Sequence, residues 1–230
     1  IYSSGSGNLK LYVNGADVIT GANSVLSTNT WHHIACTRSS GATKLFVDGV
    51  QVGSTWTDSR NISDGFWTFG VDYSHSTSWD ITGYMEDIRI TKGVARYTAD
   101  FDVPTLSFPT ASLYKNDDYA AQNVLLLQSE ADDGNTTFTD SSDSEHTISK
   151  VGTVHHETDQ KKWGTSSIHF DGTGDYLTVA DHADLRFSTN EDFTIETWIY
   201  FSDTTTAIFI DNRSANGANS IAIYQYSTKL

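Results

Sequence analysis

The turn Asp171-Gly172-Thr173-Gly174-Asp175 places two carboxylates four residues apart, among glycines that let backbone carbonyls bend inward. Oxygen-rich sets of this kind suit a hard cation such as Ca²⁺. The same two side chains can instead satisfy the amides of their own turn, as Asp commonly does. Two adjacent pairs, His32-His33 and His155-His156, are metal ligands by residue type. On a strand, neighbouring side chains point to opposite faces, so neither pair converges on one ion. The adjacent acids Glu86-Asp87 and Glu191-Asp192 meet the same obstacle to forming the facing carboxylates that glycosidic hydrolysis needs. No G-x-S-x-G, H-E-x-x-H or phosphate-cradling loop motif occurs.

Sugar recognition is the remaining chemistry. Aromatic faces stack on the C–H surface of a pyranose, while amides and carboxylates hold its hydroxyls. The run FTIETWIYF sets Phe193, Ile195, Thr197, Ile199 and Phe201 on one strand face, with Thr194, Glu196, Trp198 and Tyr200 on the other. That second face is a groove or an outer surface. Tyr224 and Tyr226 share a parity further on, and the loop SHSTSWD puts Trp79 beside Tyr73, His75 and Asp80. Trp198, Tyr200, Glu196, Trp79 and Tyr224 are therefore the candidate carbohydrate-binding residues. Packing under loops or against a sheet is the alternative for the same rings.

The elements that must position these residues are strands. Asn14-Gly15 and Asp48-Gly49 interrupt short alternating runs, and such dipeptides supply the positive φ angles of two-residue hairpins. Strand alternation also marks Trp31 to Thr37, Trp67 to Val71, Tyr84 to Ile90, Val124 to Leu127, Phe193 to Phe201, Ala207 to Asn212 and Ser220 to Tyr226. Ser167 to Val179 reads as two strands about a Gly-rich turn. No window sustains a 3.6-residue period, apart from a turn near Ala180 to Leu185. The polar stretch Pro109 to Asn123 reads as a connector and Asp132 to Ser144 as an acidic loop. Two packed antiparallel sheets follow.

Composition agrees. The 230 residues include 27 Ser and 30 Thr, 12% aromatics and only two Pro. Lys+Arg 14 against Asp+Glu 29 gives a net charge of −15, which excludes a phosphate-backbone partner. No apolar run reaches the length of a membrane-spanning helix. The single thiol, Cys36, excludes an intramolecular disulfide framework and reads as a small buried hydrophobe.

The segments WHHIA, KLFVDGVQVG and GYMEDIRITKGVARYTADF resemble the second half of a laminin G-like, concanavalin A-type jelly roll. VLLLQSEADDGNTTFTDSS, KKWGTSSIHFDGTGDYLTV and EDFTIETWIYF resemble its first half. The combined wording is most similar to tandem modules of marine phage tail and tail-fibre proteins, and similar modules occur in large secreted bacterial proteins. The resemblance implies halves in circularly permuted order: residues 1–108 the second half, 109–123 a connector and 124–230 the first half. The openings Ile1-Tyr2 and Ile223-Tyr224, 222 residues apart, fit a window cut from a tandem array. The halves are expected to close on each other, with exchange between chains as the alternative.

Glucanases of this architecture carry Glu-x-Asp-x-x-Glu. The nearest stretch here, Glu191 to Glu196, has its first two acids adjacent, so catalysis is not expected. Laminin G-like domains often hold one Ca²⁺, and the resemblance brings the late strand near the Gly-rich turn, making Asp171, Asp175 and Asp87 the expected metal set. The expectation is a non-catalytic, extracellular module that binds cell-surface or matrix glycans, in a phage tail or fibre, without nucleic acid or membrane insertion. Neighbouring repeats or swapped copies are its other partners. The rivals are a structural spacer or protein-interaction module, and a secreted bacterial adhesin or accessory domain of a polysaccharide-degrading enzyme.

Overall fold

A computed structural model describes residues 7–22, 25–63, 66–76, 78–109, 117–203, 205–213 and 219–227. The strands of the first half are β1 (Asn8–Val13), β2 (Ala16–Thr20), β3 (Trp31–Ser39), β4 (Ala42–Val47), β5 (Val50–Thr57), β6 (Trp67–Phe69) and β7 (Thr82–Lys92). Those of the second half are β8 (Asn123–Leu127), β9 (Ile148–Val151), β10 (His155–Glu157), β11 (Ser167–Asp171), β12 (Tyr176–Val179), β13 (Phe193–Phe201), β14 (Ala207–Asp211) and β15 (Ile221–Tyr226). They form a seven-stranded sheet in the order β2-β1-β15-β14-β6-β12-β9 and an eight-stranded sheet in the order β10-β11-β7-β13-β3-β4-β5, with β8 also on β7. Every strand pair is antiparallel. Among the described residues no helix is long and apolar enough to cross a membrane.

Local chemistry sets the hairpins. Asn14 and Gly15 turn β1 into β2 with φ of 48° and 91°, and Asp48 and Gly49 turn β4 into β5 with 50° and 80°. Alternation then decides which side chains enter the core. Leu9 and Leu11 of β1, Phe209 of β14 and Ile223 of β15 meet Ile34 and Cys36 of β3 and Ile195 and Ile199 of β13 between the sheets. Burial pushes the Cys36 thiol up to about 12, so it is an inert apolar filler.

The two halves of the chain alternate within both sheets. β1 pairs with β15, β6 lies between β14 and β12, and β7 lies between β11 and β13. Neither half carries a complete layer, because each leaves edges that the other fills. The two strands about the Gly-rich turn do not pair with each other. β11 belongs to the eight-stranded sheet and β12 to the seven-stranded one, so Asp171 to Asp175 crosses between layers. The turn near Ala180 is a single 3-10 turn, Ala183–Leu185. Residues 110–116 of the connector and the Ile1-Tyr2 opening lie outside the described residues.

A non-periodic strap, residues 93–109, crosses the outer face of the eight-stranded sheet. The Phe101 amide donates to the Gly49 carbonyl (2.9 Å), and the Gln51 amide to Asp100 (2.8 Å). The Lys44 ammonium reaches the Thr98 carbonyl (2.6 Å). Tyr97 and Phe101 stack with centroids 3.5 Å apart, and Phe101 packs edge-on against Phe46 and His33.

Candidate functional site

The strap corrects the reading of the Glu196, Trp198 and Tyr200 face. Trp198 is buried with Phe108 and Leu126, against Trp31, Val103 and Trp163. Glu196 is fully buried: Arg89 donates to its Oε1 (2.7 and 3.0 Å), and Tyr97 Oη donates to its Oε2 (2.8 Å). His33 Nε2 stands 3.1 Å from the same Oε2. Burial pushes Glu196 up, but Arg89, His33 and Arg96 outweigh it and hold the carboxyl well below the usual range. Trp198 and Glu196 thus form a second packed layer rather than a groove. Three strap aromatics, Tyr97, Phe101 and Phe108, opposite a strand face with a charge at its centre were the signal for it.

Glu86 and Asp87 require a second correction, because their side chains do not diverge. β7 carries a bulge: Glu196 faces Arg89 while Trp198 faces Glu86, so three steps on β7 oppose two on β13. Asp87 takes φ 53° there. On the other edge of β7, pairing passes from β11 (through Met85) to β8 (from Ile88) across these two acids. Both carboxylates hold coverings in place. Glu86 accepts the amides of Lys162 and Trp163 (2.7 and 2.8 Å), and Asp87 accepts the Phe108 amide and the Ser107 hydroxyl (2.7 and 3.0 Å). Burial pushes Glu86 up to about 8 and Asp87 to about 6, against those hydrogen bonds. Raised acids often mark catalysis, but here they are sealed under the strap and the 158–166 loop. Glu191 and Asp192 likewise serve backbone amides, those of Ser188 and Ser40.

Two predicted residues from opposite halves of the chain do meet. Trp79 and Tyr224 lie with ring centroids 6.5 Å apart on the outer face of the seven-stranded sheet. With Tyr12, Ile208 and Ala222 they line a concavity of about 230 Å³, whose polar groups are Asp72 and Arg213. Alternation places Tyr12, Ala222 and Tyr224 outward, because Leu11, Val13, Ile221 and Ile223 fill the core. Trp79 is fixed by its backbone, its carbonyl accepting the Ile208 amide (2.9 Å). Tyr224 is fixed by its hydroxyl, which donates to Asp17 (2.6 Å). Arg213 lies 5.0 Å over the Tyr12 ring and is paired with buried Asp211. Asp72 sits in its own turn, accepting the Ser74 hydroxyl and the Ser76 amide.

A larger concavity, about 400 Å³, lies between Arg89, Arg96, Asp117 and the strap residues Pro104 to Pro109. Both arginines pair there with Asp117, and Arg89 covers the Phe108 ring at 3.8 Å. Tyr200 belongs to neither concavity. It sits in a cross-strand row in which Trp31, Tyr200, Tyr84, His169 and His155 follow one another at centroid distances of 5.6, 5.7, 4.9 and 4.9 Å, all half-buried. Successive rings are tilted by 40° to 73° and pack against one another along the row.

The expected calcium set does not assemble. Asp87 is on the outer face beneath the strap, five residues along β7 from Thr82, the partner of Asp171. Asp175 is fully buried and accepts from Thr153 and from the Asp171 amide, while Asp171 accepts the Thr173 amide. The turn-amide alternative describes both. Asp80, from the first half, joins them: its Oδ2 accepts the Gly174 amide (2.6 Å) and its buried Oδ1 has no partner. Burial raises Asp80, the Gly174 amide opposes, and Asp72, Asp171 and Asp175 add to the rise. All three acids of this turn region thus accept backbone amides, and Asp80 alone keeps a buried oxygen without a partner.

Two antiparallel sheets packed face to face, with strands of both halves in each, define a concanavalin A-like jelly-roll sandwich. Residues 1–96 match the family model Laminin_G_3, described as the concanavalin A-like lectin/glucanases superfamily. That match runs from β1 to the start of the strap. No match was found among curated proteins or solved structures.

Proposed function

We propose that the protein is a non-catalytic carbohydrate-binding module, and that one sugar residue docks in the Trp79–Tyr224 concavity. The observation that carries this reading is the pocket itself, in which aromatic rings from both halves of the chain surround a hollow with one acid and one cation at its polar side. Such a site stacks a sugar ring and addresses its hydroxyls. The superfamily pairs lectins with glucanases, and the adjacent acids Glu86-Asp87 and Glu191-Asp192 are engaged with backbone amides, which favours the lectin side. The fold suits carbohydrate or protein ligands on the outside of a cell or particle. The similarity of RITKGVARYT and FDGTGDYL to tandem phage tail modules supports a place in a tail or fibre. There, repeated weak sites gain strength through avidity.

A glycan array followed by calorimetric titration, on the natural chain and on Trp79→Ala, tests the proposal. Binding that falls at least tenfold in the variant supports it. An array without hits, or a Trp79→Ala chain that binds as well as the parent, overturns it and leaves the spacer reading.

A further inference from the structure

Far from the sugar pocket, and independent of it, lies a cluster that neither the strand pattern nor the resemblance points to. His146 lies between the acidic loop and β9, while His182 precedes the 3-10 turn Ala183–Leu185 between β12 and β13 and Asp184 lies within it. One ligand atom from each lies within 4.8 Å of the other two. His146 Nε2 stands 3.2 Å from Asp184 Oδ1, and His182 Nδ1 contacts the same oxygen. The His146 side chain is only 8% exposed, yet its Nε2 has no aligned hydrogen-bond partner. A buried imidazole nitrogen is thus aimed at a carboxylate oxygen that a second imidazole already shares.

We propose that His146, His182 and Asp184 bind a divalent transition ion, with Zn²⁺ the foremost. Two imidazoles and one carboxylate suit zinc, copper or nickel, whereas calcium prefers oxygen alone. Two ligands about 2.0 Å from a tetrahedral ion stand about 3.3 Å apart, close to the His146–Asp184 separation. One bond orients a ligand and the other anchors the loop that carries His146. The Ser144 hydroxyl donates to Asp184 Oδ2 (2.7 Å), leaving Oδ1 toward the imidazoles, and the His146 amide donates to Asp140 (3.0 Å). His182 is 60% exposed, so ion and water reach the site, and water takes the fourth position. A bound ion staples the loop before β9 to the loop before β13.

The test uses the untagged chain with ZnCl₂ by calorimetry, CoCl₂ by visible absorption, and thermal melting with each. The expected result is one equivalent bound, the intense visible bands of four-coordinate cobalt, and a melting temperature raised by several degrees at saturation. His182→Ala should weaken binding at least tenfold while melting like the parent without metal, because that side chain is mostly in solvent. His155→Ala should bind like the parent. Absence of binding up to millimolar zinc, or unchanged binding in His182→Ala, overturns the proposal. So does a zinc-induced melting shift that is unaffected by His182→Ala, since the ion would then sit elsewhere on the chain.

Discussion

Glu86 and Asp87 are sequence neighbours whose carboxylates lie on the same side of the eight-stranded sheet. The bulge at Asp87 is the cause, and it gives each acid one covering segment to hold: the 158–166 loop for Glu86 and the strap for Asp87. A bulge at the point where β7 changes partners is the least costly place to leave ladder geometry, because the backbone pairing is interrupted there already.

Asp87→Ala should loosen the strap. It removes the acceptor of the Ser107 and Phe108 bonds and puts Ala at a positive φ, costing about 2–3 kcal/mol. Asp87→Asn keeps one acceptor oxygen and tolerates that backbone, so its cost should be clearly smaller. Urea unfolding ranks the two, and limited proteolysis should cut Asp87→Ala first within residues 93–109. Equal midpoints for both variants and the parent would contradict the clamp.

The pH profile follows from opposite shifts. Glu86 and Asp87 are raised from 4.5 and 3.8 to about 8 and about 6, so between these limits the folded chain holds more protons than the unfolded one. Stability therefore falls as pH rises through that window. Glu196 is lowered, so its contribution is present above its ordinary value of 4.5 and fades as pH drops below it. Urea midpoints should peak near pH about 4 and decline toward 8, and Glu86→Gln should flatten the decline. A midpoint that climbs steadily from pH 5 to 8 would reject the assignment.

Glu196→Gln should be among the most damaging single changes outside the main core. It leaves the Arg89 guanidinium, 4% exposed, without its charge partner on that side, at about 3–5 kcal/mol. Replacing both residues, Glu196→Gln with Arg89→Met, should recover part of the loss. A double-mutant cycle in urea measures it, and strictly additive costs would show that the two are not coupled.

In the proposed sugar pocket, Trp79→Ala and Tyr224→Phe separate binding from stability. Trp79 is held by its backbone, so truncating the ring should cut glycan affinity about tenfold with a small change in melting. Tyr224→Phe keeps the ring but loses the bond to Asp17, costing about 1 kcal/mol of stability and little affinity. Calorimetric titration beside thermal melting distinguishes the two, and the reverse pattern would place the ligand elsewhere.

What the sequence by itself determined is local. Asn14-Gly15 and Asp48-Gly49 encode their hairpins because positive φ is a property of two residues, and FTIETWIYF encodes its core face because alternation needs only one strand. The family resemblance rests on the same short segments. The tertiary structure decided what covers each outward face. Trp198 and Glu196 read as a platform until a strap without periodicity closed over them, and Glu86 and Asp87 read as divergent until a bulge turned both outward. Trp79 meets Tyr224, and His146 meets His182 and Asp184, only because the sheets bring distant loops and strands together. Strand alternation sorts side chains into two faces, and it is long-range closure, which no short window contains, that makes one face a core and the other a site.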